Sequence, residues 1–150
     1  TREKENRRLE IVTRGRDAYA AHVEALKAET KGVWLQLAAP DFAGAIKGKK
    51  SLSSMKDAVD TVLAQAKIAA NESAQHIRAA LALLSEETAE HKHLFPDYLN
   101  FIGKPLEDIR ALVRGRIAEH KAAEEKKAEE LREKIRREEA EKLAAEQRAK

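Results

Sequence analysis

The chain has 150 residues, 37% of them charged and 4% aromatic, with no cysteine, a formal net charge of +3 and a pI near 9.1. This length suits one domain with a real core, and a charged fraction well above the ~25% of ordinary globular chains, with abundant alanine, points to long exposed helices. The missing cysteines exclude a disulfide framework, thiolate metal sites and a cysteine nucleophile; no apolar run approaches the ~20 residues of a membrane span and no signal peptide is visible, so a soluble, cytoplasmic, all-α protein is expected.

The positive surplus is uneven. Residues 119–150 hold ten Lys/Arg and ten Asp/Glu, so the first 118 residues carry the whole excess, 19 against 16. Three charges are too few to indicate nucleic-acid binding without a concentrated patch. The chain starts at Thr1 amid charged residues and stops in mid-pattern at Lys150; it is expected to be a piece of something longer.

Glu3 to Thr30 reads as a first helix, with Leu9, Val12, Tyr19, Val23 and Leu26 on one stripe and Gly32 as its stop. Gly15 weakens that helix by ~1 kcal/mol relative to Ala, so either another helix approaches closely there, the plainer reading, or the turn there is loose. Arg2, Lys4, Arg7, Arg8, Arg14 and Arg16 alternate with Glu3, Glu5 and Glu10, the pattern of a solvated face. Val33 to Leu37 is strand-like but has no second strand to pair with, so an extended connector with Trp34 inserted into the core is expected. Pro40 suits the first turn of a short helix whose Phe42 and Ile46 share a face, ended by Gly48. Lys47, Lys49 and Lys50 then crowd into a basic loop.

The segment from Ser51 to His93 is the spine. Leu52, Met55, Val59, Val62, Ala66, Ala69, Ser73, His76 and Ala80 step by threes and fours, with Ile68, Ile77, Leu81 and Leu84 widening the stripe. Ser51, Ser53 or Ser54 caps it, and Pro96 is expected to stop it near His91 to Phe95. Leu94, Phe95, Tyr98, Leu99, Phe101 and Ile102 form the densest apolar cluster, read as a plug at the bundle's end. Pro105 opens the last helix, with Glu107 and Asp108 in its first turn and Leu106, Ile109, Val113 and Ile117 as its buried stripe. Past Ile117 the apolar residues thin to Leu131, Ile135 and Leu143, while Glu130 with Lys134 and Glu133 with Arg137 support an exposed helix.

Few residues suggest chemistry. Gly44-Ala-Ile-Lys-Gly48-Lys-Lys-Ser51 has three residues between its glycines and an extra Lys before Ser, so it fails the spacing of a phosphate-binding loop and reads as a capped turn. His91 and His93, two apart, point to different sides of a helix and disfavour one shared metal; with Lys92 they complement the helix's negative end. His22, His76 and His120 read as interior or boundary residues. No nucleophile is paired with a base, so no enzyme activity, cofactor, metal or small-molecule substrate is expected. Exposed cations at Lys47, Lys49, Lys50 and Lys56, and at Arg110 and Arg114 one turn apart, are candidate phosphate contacts. Trp34, Tyr98 and the Phe residues sit in apolar contexts, which argues against base stacking. The C-terminal helix has too few large apolar residues to lie in a membrane surface.

Asp41-Phe-Ala-Gly-Ala-Ile-Lys-Gly-Lys-Lys-Ser-Leu-Ser-Ser-Met-Lys-Asp-Ala-Val-Asp60, with Gln65-Ala-Lys-Ile-Ala69 and Ala118-Glu-His-Lys-Ala-Ala-Glu124, resembles the middle of a group of phage- and prophage-encoded bacterial proteins. The resemblance covers most of residues 8–140, implies a setting near recombination or replication genes and carries over no catalytic residue. The expected architecture is an elongated antiparallel three-helix bundle or coiled coil over residues 1–118, with a short helical insertion, extended by a protruding charged helix over 119–150. The expected function is that of an interaction or assembly module binding a protein partner or a second copy. The alternative is an accessory nucleic-acid-binding module working through residues 47–56.

Overall fold

The computed structural model describes residues Thr1–Ala149; Lys150, the last residue of the expected extension, lies outside the described residues. The fold is all-α, without a strand among the described residues. In chain order it has α1 (Arg2–Glu29), α2 (Phe42–Ala45), α3 (Leu52–Thr88), a 3-10 segment (Ala89–Leu94), α4 (Tyr98–Phe101) and α5 (Leu106–Ala149).

The helix ends follow local chemistry. Thr1 caps α1 through its hydroxyl, which accepts from the Lys4 amide. Lys31 (φ 57°) and Gly32 (φ 85°) then turn the chain left-handed, and the Gly32 amide donates to the Lys27 carbonyl at 2.8 Å. Asp41, and not Pro40, starts α2: its carboxylate accepts from the Gly44 amide at 2.8 Å. Gly44 leaves room for that carboxylate, which a Cβ there would strike. Of the three candidate serines, Ser51 caps α3, its hydroxyl accepting from the Ser54 amide at 3.1 Å. The α3 helix stops at Thr88, earlier than expected from Pro96, because Ala89 adopts φ 45° and His91 leaves helical geometry. A proline restricts only its immediate predecessor; the break seven residues upstream is a left-handed turn that alanine's propensity does not announce.

The chain divides into two compact units, Thr1–Ala82 with Asp97–Lys104, and Leu83–Pro96 with the chain from Pro105 onward. In the first, Ile11 and Val12 of α1, Phe42 and Ile46 of the α2 region, and Met55 and Val59 of α3 bury one another. A second cluster joins Leu26 to Ala70 and Ala74, with Trp34 and Leu37 of the extended connector packed on it. Gly15 makes the close approach possible: a Cβ there would lie 2.8 Å from Val59 Cγ1 and 3.0 Å from Phe42 Cδ1. The His76 ring is hydrogen-bonded to the Ile102 carbonyl at 3.0 Å, and Phe101 and Ile102 are buried.

The antiparallel arrangement does not hold for α1 and α3, which advance in the same direction. Gly15 lies against Val59, His22 bonds Asn71 at 2.8 Å, and Glu29 pairs with Arg78 at 2.7 Å. The strand-like stretch explains this. Residues 33–41 hold no regular structure, and nine extended residues reach about 30 Å, enough to undo the ~27 Å that α1 climbs from Val12 to Thr30. The connector returns the chain to the start of α1, and α3 sets out alongside it.

The buried stripes also shift. Leu9 is 62% and Ile68 58% exposed, while Ile11, Ala70 and Ala74 take the buried positions. Along α3 the expected stripe is interrupted at Ala69, which is exposed beside buried Ala70, and resumes with Ser73 and Ala80, both buried, and with Ile77 and Leu84 beside them.

In the second unit Ile109 and Val113 are fully buried, as are most of Leu84, Thr88 and Phe95. The Thr88 hydroxyl donates to the Leu84 carbonyl at 2.6 Å. The α5 helix runs unbroken past residue 118, and from Lys121 to Ala149 only Ala128 is less than exposed.

Candidate functional site

Lys47, Lys49, Lys50 and Lys56 all lie in the first unit and are exposed. The loop carrying three of them is set by Asp41 at one end and Ser51 at the other, with Gly48 at φ 81° making the turn between them. Arg8 of α1 reaches this loop, its guanidinium donating to the Lys49 carbonyl at 3.5 Å. Among the described residues, none of Arg8, Arg14, Arg16, Lys47, Lys49, Lys50 and Lys56 is in an ion pair. The first unit carries 15 Lys/Arg against 11 Asp/Glu and the second 14 against 15, so the protein's surplus sits here.

Arg110 and Arg114 belong to the second unit, and a carboxylate already holds both. Glu87 accepts two hydrogen bonds from Arg114, each 2.9 Å, and lies 3.4 Å from Arg110, which also pairs with Glu107 at 2.7 Å. The Arg114 hydrogen bonds hold the Glu87 carboxyl below its ordinary range against the opposing effect of partial burial, with Arg110 assisting; the Arg114 guanidinium is raised in turn. A phosphate at Arg114 would have to displace a bidentate partner. Arg116, beside them in sequence, donates to the Leu94 carbonyl at 3.0 Å and covers the Phe95 ring at 5.0 Å.

The histidines differ from expectation. Because Ala89 and His91 break the helix, His91 and His93 turn toward each other, and His120 of α5 joins them, with ring centroids 5.9–6.3 Å apart. The three rings meet edge to face or tilted. Among the described residues no group of His, Asp or Glu is arranged to hold a metal ion.

Sequence reading passed over the face of α1 that adjoins the loop. Glu5, Leu9, Val12 and Arg16 recur at four, seven and eleven residues, one line along a helix, and with Ala43, Gly44, Ile46 and Lys47 they border an open groove of about 490 Å³. The interleaved charges of α1 disguised this line as ordinary solvated surface. The available signal was Leu9, a large apolar residue on the stripe and yet one position away from Arg8.

No family model, curated protein or solved structure matches the chain. Among the described residues, no helix is long and apolar enough to cross a membrane.

Proposed function

We propose that the chain is an interaction and assembly module whose α5 helix pairs with a second copy or a partner helix, in a larger phage-derived protein. The observation that carries this reading is the length of α5 beyond its own core. Residues 121–149 remain helical and exposed for about 43 Å at 1.5 Å per residue. Isolated helices in water are marginal, and this one is reinforced by its own pairs, Arg132 with Glu125 at 3.0 Å and with Glu129 at 2.7 Å. Ala128, Leu131 and Ile135 step by three and four along it, with Leu131 58% and Ile135 46% exposed, the beginning of a seam that a second helix would cover. Sedimentation equilibrium on the whole chain tests this. The mass is expected to rise toward a dimer with concentration, and Leu131→Glu with Ile135→Glu is expected to abolish the rise; a strict monomer at high concentration removes self-assembly.

A second reading, nucleic-acid binding, is favoured by the unpaired lysines at 47, 49, 50 and 56. Gel shift at low salt, with these lysines changed to Glu, tests it: phosphate binding must weaken steeply with salt and with each lost charge. Arg110 and Arg114, engaged by Glu87, are expected to add little to it.

A further inference from the structure

We propose that the groove between α1 and the α2 loop is a docking site for an acidic amphipathic helix, a surface separate from the α5 seam. Its floor is apolar: Val12 and Ile46 close it from below, and Leu9 stands 62% exposed within it. Three cations, Arg8, Arg16 and Lys47, line it, against one carboxylate, Glu5. None of the three cations is in an ion pair among the described residues, in contrast to Arg110 and Arg114, which Glu87 neutralises.

The occupant follows from these features. The α1 line from Glu5 to Arg16 is about 16 Å long, three helical turns, which matches a short helix laid along it. Apolar residues at i and i+4 of that helix would cover Leu9 and reach the floor, and Asp or Glu on its flanks would meet Arg8, Arg16 and Lys47. Nucleic acid suits the groove less well. A phosphate chain gains nothing from an apolar floor and is repelled by Glu5, and the one aromatic ring nearby, Phe42, is 1% exposed and closed to base stacking.

The test is a selection of displayed peptides of about 15 residues on the immobilised whole chain, followed by binding of the enriched peptides by fluorescence anisotropy. Enrichment of sequences with apolar residues at i and i+4 flanked by Asp or Glu is expected. Leu9→Ser and, separately, Arg16→Glu with Lys47→Glu are each expected to weaken binding about tenfold or more. Lys31→Glu, the same kind of charge change at the far end of α1, is expected to leave it within about twofold. Leu9 is exposed, so its replacement leaves the core intact, and an unchanged circular dichroism melt verifies this. The proposal is overturned if nothing is enriched, if the enriched peptides lack acidic residues or bind the Leu9→Ser chain equally well, or if a short single-stranded DNA displaces them at physiological salt.

Discussion

Two glycines in helix interiors, Gly15 in α1 and Gly115 in α5, should respond oppositely to the same substitution. Replacing either with alanine recovers the intrinsic helix preference, about 0.8–1 kcal/mol. At Gly115 nothing lies within 4 Å of the added methyl, so Gly115→Ala should stabilise by about that amount. At Gly15 the methyl would sit 2.8 Å from Val59 Cγ1 and 3.0 and 3.1 Å from two carbons of the Phe42 ring. Neither neighbour yields cheaply: valine is stiff at χ1, and Phe42 is almost completely enclosed between α1 and α3. Overpacking of this kind costs about 1–3 kcal/mol, which equals or exceeds the helix gain, so Gly15→Ala should be neutral to destabilising by about 2 kcal/mol.

The assay is urea unfolding followed at two probes. Trp34, the only tryptophan, packs on the Leu26 cluster of the first unit and reports on it, while circular dichroism at the helix band reports on the whole chain. Two compact units do not guarantee a single transition, so each probe is fitted on its own. The Trp34 midpoint should fall or stay level for Gly15→Ala and be unmoved by changes confined to the exposed part of α5. A rise with Gly15→Ala as large as that of Gly115→Ala would show that α1 and α3 are not in close packing at this position, and the parallel placement of the two helices would lose its tightest contact.

Three further expectations follow from the same structure. Ile77→Ala should cost about 2–5 kcal/mol because the side chain is wholly buried, while Ile68→Ala should change stability by less than about 0.5 kcal/mol; equal losses in urea unfolding would contradict the register given for α3. Removing the α3 cap with Ser51→Ala should cost about 1 kcal/mol, and Ser53→Ala almost nothing; the two thermal midpoints separate the cap from its neighbour. Glu87, held below the ordinary glutamate value of ~4.3 by Arg114, lends stability that is fully present above that value and is lost as pH falls through the lower folded value. Glu87→Gln should therefore be less stable than the parent at neutral pH, with the gap closing in acid; a gap that persists unchanged at low pH would assign the loss to packing.

What could be read directly from the residues was whatever depends on near neighbours in the chain. Gly32, Asp41 and Ser51 end or begin helices through bonds to residues within five positions, and Gly48 turns the chain by its own positive φ, so their roles are written locally. The direction of α3 relative to α1 is not local. It depends on whether residues 33–41 stretch or fold back, and the strand-like character of Val33 to Leu37 indicated extension without saying that extension would restore the chain to its starting height. The same holds for charge. Lys47 and Arg114 are both exposed cations in a sequence reading, and what distinguishes them is Glu87, 27 residues away from Arg114 and bonded to it twice. A cation's availability to a partner is set by the carboxylates that the fold brings to it and not by its own surroundings in the chain. On that criterion Arg8, Arg14, Arg16, Lys47, Lys49, Lys50 and Lys56, none of them in an ion pair among the described residues, make an open positive surface of the first half of α1 and the loop leading into α3, where the exposed side chain of Leu9 also lies. This coincidence of unneutralised charge with exposed apolar area makes that end the place to look for a partner.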